Sequence, residues 1–303
     1  MRDVSILKKK YNAEENNLIT LLRGKKDERI FTLKNTDCVA YKMNIRSLET
    51  LTPLFNNNTW LTIGDYTGFE AKYLIEHEQT VTASDISDVF LKEVHEEGLI
   101  EDYKKINAEN IDLDENSFDY VSCKEALHHF PRPYLGLYEM IRVAKKGVVL
   151  IDEPIDILSK MPLFLFIKNV CDLFNPHLIN KIWKNRFSWE EVGNYVFKIS
   201  EREIEKIAMG MGLPCVAFKR RNIKNYSIMK NHEKSYKVPT DYKFLKKLNR
   251  ELFIWNFICK LRILPYNSLC SIIFKSIPDD GLLQTLRKKG YEVIEFPKNP
   301  YIV

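Results

Sequence analysis

Two adjacent histidines, His128 and His129, are the side chains in this sequence best suited to acid–base chemistry. Histidine titrates near neutral pH, so it can take a proton from a hydroxyl group that attacks an electrophile. Lys124 and Glu125 precede the pair and add one charge of each sign. Adjacent side chains point in different directions, so we expect one ring to face a cleft. We prefer His129 as the base, the reverse order and a structural role being the alternatives.

The stretch Thr59–Glu70, TWLTIGDYTGFE, is the element that must position such groups. Its apolar run Trp60–Ile63 is typical of a buried strand, and helical spacing resumes after Gly68. Glycine has no Cβ, so the turn that begins at Gly64 can be tight and can let a ligand approach the backbone. The free N–H groups of the next helix would face that ligand. This order is typical of the first unit of a nucleotide-binding α/β fold.

A second short strand, Val81–Ser84, is followed by the carboxylate of Asp85. Asp85 comes about 20 residues after Gly64, the spacing at which an acid reaches a ribose diol in such folds. Two carboxylate oxygens can accept hydrogen bonds from both ribose hydroxyl groups. Asp85 could instead cap the following helix, although Ser87 is also available for that role.

Alternating strand and helix patterns predict an α/β fold with a doubly wound, mostly parallel Rossmann-like sheet. Right-handed crossovers place the C-terminal ends of the parallel strands on one edge, where ligands bind. The predicted strands are Trp60–Ile63, Thr80–Ser84, Tyr103–Asn107, Phe118–Cys123, Lys146–Asp152, Cys215–Lys219 and Tyr291–Phe296.

Four segments in this order resemble the motifs of class I S-adenosylmethionine-dependent methyltransferases of the type 11 group. They are TIGDYTG at Thr62–Gly68, TASDIS at Thr82–Ser87, NAENIDLDENSFDYVSCKEALHHF at Asn107–Phe130 and KKGVVLIDEP at Lys145–Pro154. The resemblance covers about a third of the chain. It implies a methyltransferase sheet, S-adenosyl-L-methionine as cofactor and no need for a metal.

The same resemblance implies a set of cofactor-binding residues. Ala108 and Glu109 match the positions that contact adenine, and Glu125 would pair with the ammonium group of the methionine moiety. His128 and His129 would lie near the transferred methyl group. The cofactor-binding residues implied are Gly64, Asp65, Gly68, Asp85, Ile86, Ala108, Glu109, Lys124 and Glu125.

Two positions depart from the pattern of the family, in which a glycine usually stands where Tyr66 is and often an acid where Thr62 is. Asp65 could supply part of the missing polarity. The departures keep open a non-catalytic scaffold subunit that retains the fold. A nicotinamide-dependent oxidoreductase is a further alternative, but it normally needs the central glycine that Tyr66 replaces.

The composition places the chain among ordinary globular proteins. It has 303 residues and a net charge of +5, an excess too small to predict nucleic-acid binding but compatible with an anionic surface. Its six cysteines form no C-x-x-C pair, which favours free thiols in a reducing cytoplasm. Met1–Tyr11 lacks the apolar core of a signal peptide. The apolar runs Met161–Phe174 and Leu252–Phe274 carry charges or proline, so we expect core or surface helices rather than spans.

Three regions are expected: a helical leader over residues 1–57, a cofactor-binding core over 58–154, and remaining core elements with a helical substrate or lid region over 155–303. In the leader we predict extended pieces at Arg29–Leu33 and Cys38–Tyr41. The capping box Ser200–Glu203 predicts the start of a helix in the third region.

The acceptor is expected to be an oxygen atom of a small or glycan-type molecule. Cys123–Pro133 and Ser200–Pro214 resemble methyltransferases of cell-surface polysaccharide biosynthesis, which favours the glycan. Leu163–Phe166 could form a lid or make peripheral membrane contact, and the sequence does not predict an oligomeric state. Aromatic surface for the acceptor would come from Phe164, Phe166, Phe174, Trp183, Phe187, Trp189 and Tyr195.

Overall fold

The structure is a computed structural model that describes most of the chain. The described residues are 8–13, 15–16, 26–156, 162–175, 189, 195–223 and 242–298. Within these ranges no helix combines the length and the apolar character needed to cross a bilayer.

A mixed sheet runs through the described core. Its strands are β1 Thr59–Ile63, β2 Thr80–Asp85, β3 Asp102–Lys105, β4 Phe118–Lys124, β5 Ala144–Pro154, β6 Cys215–Arg221, β7 Ser268–Phe274 and β8 Glu292–Glu295. The strand order is β3-β2-β1-β4-β5-β7-β6-β8. The first five strands of this order pair in parallel, whereas β7, β6 and β8 add antiparallel pairs. This confirms the predicted doubly wound, mostly parallel sheet.

Helices cover both faces of the sheet. They are α1 Lys26–Lys34, α2 Val39–Leu48, α3 Phe69–Ile75, α4 Val89–Glu96, α5 Pro133–Val143, α6 Pro162–Phe174, α7 Glu201–Gly210, α8 Tyr242–Lys260 and α9 Asp280–Lys288. Successive strand residues alternate between the two faces: Trp60 packs in the core with Leu74 of α3, and Leu61 packs in the opposite core with Leu137 of α5. The C-terminal ends of the parallel strands therefore lie along one edge of a sheet that is buried on both faces.

The leader differs from the sequence prediction, because Arg29–Leu33 and, after the extended Cys38, Val39–Tyr41 are helical rather than extended. Arg29–Leu33 lies within α1, where Ile30 and Leu33 are three residues apart and pack on the core. Cys38 is the N-cap of α2, and its Sγ accepts a hydrogen bond from the N–H group of Tyr41 at 3.4 Å. Tertiary packing thus overrides the short apolar and β-branched pattern.

The sequence did not predict strand β7, because helices were expected over the whole of Leu252–Phe274. All seven residues of β7 are buried, and the strand lies between β5 and β6. A strand buried on both faces shows no alternation, so its periodicity cannot be told from that of a short buried helix. The capping box at Ser200 and Glu203 is confirmed and begins α7.

We expect Gly147→Ala to destabilise the fold, because Gly147 of β5 leaves no room for a side chain. A Cβ there would lie 2.6 Å from the carbonyl oxygen of Ile273 in β7. The backbone of a central strand pair would have to move, and we predict a loss of about 1–3 kcal/mol in the free energy of unfolding. Urea unfolding followed by circular dichroism measures this loss.

Gly210→Ala is the matched control, since a Cβ at Gly210 has open space around it. It should change the free energy of unfolding by no more than about 1 kcal/mol. Equal unfolding midpoints for Gly147→Ala and the parent chain would contradict the tight approach of β5 and β7.

Candidate active site

The glycine turn after β1 touches the loop after β4. Gly64 has φ +75°, and a Cβ on it would lie 2.5 Å from the Cβ of Ala126. Gly68 has φ +66° and is the N-cap of α3. The left-handed backbone and the close approach both require glycine. The two loops therefore meet at the C-terminal edge of the sheet, as the sequence predicted from the strand order.

Asp65 uses its carboxylate to hold the start of α3. It accepts hydrogen bonds from the N–H groups of Ala71 at 2.8 Å and Glu70 at 3.3 Å, and from the hydroxyl of Thr62 at 3.2 Å. Burial raises the pKa of Asp65 to about 6. Asp65 thus shapes the turn through contacts within the protein, which counts against the direct polar contribution to a cofactor expected for its side chain.

Tyr66 is tied to the leader. Its hydroxyl accepts a hydrogen bond from the guanidinium group of Arg29 at 2.6 Å, and the guanidinium carbon lies 4.8 Å from the centre of the tyrosine ring. A cation over an aromatic face is attracted to the negative face of the ring. The ring that replaces the family glycine is therefore held by α1.

Asp85 lies at the C-terminal end of β2, next to β1 in the sheet. Its carboxylate is buried and accepts a hydrogen bond from the N–H group of Ser87 at 3.0 Å, while Ile86 is half-buried. Asp88, not Asp85 or Ser87, is the N-cap residue of α4. The position of Asp85 thus agrees with the predicted edge, and the alternative role as a helix N-cap is wrong.

The loop after β3 places Ala108 and Glu109 at the same edge, next to the leader and the start of α5. Both oxygens of Glu109 are engaged: one accepts from the Tyr11 hydroxyl at 2.5 Å and from Nε of Arg132 at 2.6 Å, and the other from the Arg132 N–H group at 2.7 Å. These bonds count against a side-chain contact between Glu109 and an adenine amine. Ala108 is buried beside it.

Lys124 and Glu125 form an ion pair at the end of β4, with Nζ 2.9 Å from Oε2. Burial alone would lower the pKa of Lys124, but the adjacent carboxylate of Glu125 raises it above its usual range. The Glu125 N–H group bonds to the carbonyl of Ile151 at 2.9 Å, which ties this loop to β5. The side chain of Glu125 therefore already has a cationic partner in the protein.

Glu153, near the end of β5, organises the loop that carries the histidines. This fully buried carboxylate accepts hydrogen bonds from the N–H groups of Ala126, Leu127 and His128 at 3.0, 3.0 and 3.2 Å. It also lies 2.7 Å from Nδ1 of His128. The sequence analysis did not select Glu153, although an acid just before Pro154 at a strand end was a signal for it.

The rings of His128 and His129 lie with their centres 3.9 Å apart. The side chain of His128 is 14% exposed. The contact between Nδ1 of His128 and Glu153 fixes the orientation of the ring and leaves Nε2 as the second nitrogen. His128 therefore has a carboxylate partner of the kind that orients a proton acceptor.

Two of the expected aromatic residues, Trp189 and Tyr195, belong to a run of ring contacts that leads to the backbone of His128. Rings Trp189 and Tyr195 meet edge to face at 6.0 Å, and Tyr195 meets Phe197 at 5.1 Å. The N–H group of Phe197 bonds to the carbonyl of His128 at 3.1 Å. Phe166 and Phe174 lie exposed on α6. Trp183, Phe187 and the side chain of Phe164 lie outside the described residues.

Two buried carboxylates below the loops keep an oxygen atom with no hydrogen-bond partner among the described residues. They are Oε1 of Glu70, in α3, and Oδ2 of Asp152, in β5. Asp152 already has a cationic partner, since its other oxygen lies 3.5 Å from Nε of Arg221. Burying a carboxylate without a partner is costly, so a cationic group near Glu70 would stabilise it.

We expect Glu70→Gln to alter the pH dependence of stability. Burial, followed by the charge of Asp65, raises the pKa of Glu70 from 4.5 to about 8. Folding thus favours the protonated form of Glu70. The contribution of this form to the free energy of unfolding is lost as the pH rises from 4.5 through about 8. Relative to the parent chain, Glu70→Gln should therefore gain at least about 1 kcal/mol in the free energy of unfolding between about pH 5 and about pH 9.

Urea unfolding at several pH values measures this gain, with the exposed Glu96→Gln on α4 as the matched control. The control should follow the parent chain at every pH. A parallel pH dependence for Glu70→Gln and the parent chain would show that Glu70 ionises as readily in the folded chain as in the unfolded one.

Comparison with known proteins identifies a methyltransferase domain within the chain. Residues 61–151 match the family model described as a methyltransferase domain. No curated protein sequence matches the chain. A Burkholderia thailandensis 1,6-didemethyltoxoflavin-N1-methyltransferase, solved with 1,6-didemethyltoxoflavin and S-adenosylhomocysteine, has a TM-score of 0.51 and 11% identity, covering 91% of this chain and 93% of its own.

Two further structures are less similar. The YcgJ protein of Bacillus subtilis has a TM-score of 0.46 and 19% identity, over 77% of this chain and 100% of its own. A SAM-dependent methyltransferase of Methanosarcina mazei has a TM-score of 0.42 and 15% identity, over 75% and 96%. The family match, the strand order and the glycine turn agree in identifying a methyltransferase domain over residues 61–151, on a mostly parallel Rossmann-like sheet.

Proposed function

We propose that this methyltransferase modifies an oxygen atom of a small or glycan-type acceptor, with His128 as general base and Glu153 as the residue that orients it. The observation that carries the proposal is the contact of 2.7 Å between Nδ1 of His128 and the buried carboxylate of Glu153. Both residues belong to the edge where the strands of a doubly wound sheet bind ligands.

The pocket residues fit S-adenosylmethionine. Asp85 would hold the ribose hydroxyl groups, Ala108 would lie against the adenine, and Gly64 and Gly68 would let the backbone pass beneath the cofactor. The buried carboxylate of Glu70, with one oxygen atom that has no hydrogen-bond partner among the described residues, suits a ligand with positive charge, as this cofactor has at its ammonium and sulfonium groups. The cofactor supplies a methyl group that its sulfonium sulfur makes electrophilic.

His128 would prepare the acceptor oxygen. When Nδ1–H donates to Glu153, the neutral ring keeps the lone pair of Nε2 for a proton from the acceptor hydroxyl. The imidazolium that forms then lies next to a buried negative charge, which stabilises it. His129 remains the alternative base, but Glu153 supports the choice of His128 instead of the order that the sequence favoured.

The aromatic rings near His128 support a ring-shaped acceptor. Trp189, Tyr195 and Phe197 form a run of edge-to-face contacts, and the backbone of Phe197 bonds to that of His128. Aromatic side chains offer a broad apolar surface with few rotatable bonds, which suits the apolar face of a sugar ring. This favours a glycan-type acceptor, with residues 155–303 contributing its binding region.

Two roles are open to α6 in the third region, a lid over the cleft and peripheral membrane contact. The exposed apolar side chains of its described part support either role. Leu163 and Phe166 are each 65% exposed and lie three residues apart, on one face of the helix. A cytoplasmic location, where S-adenosylmethionine is made, is part of the proposal.

Asp85→Ala should weaken cofactor binding by about 1–3 kcal/mol, because the ribose hydroxyl groups would lose a charged acceptor. Isothermal titration calorimetry with S-adenosylmethionine measures the change. Asp88→Ala, three residues further on and on the same loop, is the matched control and should bind like the parent chain. An unchanged affinity for Asp85→Ala would remove this residue from the ribose site, and a parent chain that binds no cofactor would favour the scaffold role.

His128→Ala should lower methyl transfer by about 100-fold or more, whereas His129→Ala should have a smaller effect. The assay follows label from methyl-tritiated S-adenosylmethionine into a panel of nucleotide sugars and glycosides, with the corresponding amino sugars as competing acceptors. Cofactor affinity should stay the same in both variants. Transfer to the amino group alone would contradict the oxygen acceptor, and a greater loss in His129→Ala would reverse the assignment of the base.

Glu153→Gln tests the positioning role separately from activity. In the parent chain, long-range nitrogen–proton NMR correlations of His128 should show the proton of the neutral ring on Nδ1, since Glu153 accepts it. The variant should lose this preference and shift the pH profile of methyl transfer. A neutral ring protonated on Nε2 in the parent chain would contradict the proposed orientation.

A further inference from the structure

One stripe along the surface of α8 is cationic in the first half of the helix and apolar in the second half. Its first half carries Lys246, Lys247 and Arg250, all exposed, and its second half carries exposed Phe253 and Phe257. These positions are spaced by three or four residues, so they lie on the same side of the helix. We propose that this stripe docks the protein on a membrane surface that contains anionic lipids, a role separate from the methyl-transfer site.

The opposite side of α8 already has its place in the fold. Phe244, Leu248 and Leu252 are buried and pack against Val39 of α2. A helix packed in this way should present a polar face to water. The outward face of the second half of α8 is apolar instead, because Phe253 is 71% exposed there. A large apolar patch at the surface marks a site of interaction with another molecule or with a membrane.

The apolar part continues past the end of the helix. Ile254, Trp255, Leu261 and Ile263 are also exposed at this end of α8 and just after it. Trp and Phe side chains are those that interfacial helices insert into the boundary between lipid headgroups and acyl chains. The rise of about 1.5 Å per residue gives the cationic and the apolar halves of this 19-residue helix about 14 Å each. Both halves can therefore meet one flat surface together.

The charge of the chain is concentrated in the same segment. Residues 242–263 contain six of the 46 lysine and arginine residues and one of the 41 aspartate and glutamate residues, which leaves 40 of each in the rest of the chain. The whole net charge of +5 is therefore carried by this segment. Within the part of the chain that the structure describes, Lys246, Lys247 and Arg250 form no ion pair.

This charge pattern favours a lipid surface as the occupant. Lipid phosphates attract basic residues next to the membrane, and an apolar stretch beside them inserts between the headgroups. Glu251, the one acid of the segment, is half-buried and lies off the stripe. The fold thus presents cations and insertable aromatic residues side by side, without an acid between them on the stripe.

Vesicle flotation tests this surface with the full-length chain and its variants. The parent chain should float with vesicles of equal phosphatidylglycerol and phosphatidylcholine at low salt, and not with vesicles of phosphatidylcholine alone. The triple variant K246E/K247E/R250E should bind at least about 100-fold more weakly. The variant F253S/F257S should lose the binding that resists added salt, because only insertion into the apolar layer is insensitive to screening.

Two variants serve as matched controls. K288E/K289E reverses exposed charges on and just after α9, and Ile277→Ser removes an exposed apolar side chain elsewhere. Both should bind vesicles like the parent chain. Circular dichroism confirms that each variant is folded. Quenching of Trp255 fluorescence by brominated acyl chains, absent in Trp255→Phe, reports entry of the exposed apolar end of α8 into the bilayer.

Equal binding to neutral and anionic vesicles would overturn the proposal, as would binding that survives both sets of substitutions on the stripe. Absence of binding to either vesicle would also overturn it, and would leave an acidic protein as the partner of this face. None of these outcomes depends on cofactor binding or on methyl transfer, so the membrane surface and the proposed acceptor can fail independently.

Discussion

A single buried carboxylate holds the loops of the candidate site together. Glu153 accepts hydrogen bonds from three backbone N–H groups of the loop after β4 and contacts Nδ1 of His128. In a dry interior such a network is strong when every member is satisfied and costly when one is removed. The carboxylate therefore sets the path of the loop and, through Ala126, its contact with the glycine turn at Gly64.

The spacing of residues along the sequence predicted those parts of the site that each depend on a single strand and the loop after it. The turn at Gly64 and the acid at Asp85 each follow a strand, so their place at the edge of the sheet follows from a parallel fold. The partnership of His128 with Glu153 was not predictable in this way. It depends on the pairing of β4 with β5, which joins residues 25 positions apart. Strand β7 was missed because full burial removes its alternation.

The leader has a larger role at the site than its sequence indicated. Tyr11 and Arg132 occupy the carboxylate of Glu109, and Arg29 holds the ring and hydroxyl of Tyr66. The N-terminal helices are thus bonded to two separate loops of the pocket. This explains how a tyrosine can stand where the family usually has glycine: its ring is drawn onto α1 by a guanidinium group.

A crystal structure of the protein with S-adenosylhomocysteine tests the central claim most directly. The account predicts density at the C-terminal edge of the sheet, with the ribose on Asp85, the adenine beside Ala108, and the ring of Tyr66 still held by Arg29. The sulfur atom should point toward the side of the cleft that His128 borders. A cleft in which the ring of Tyr66 takes the place of the bound nucleoside, with no ligand density, would contradict it.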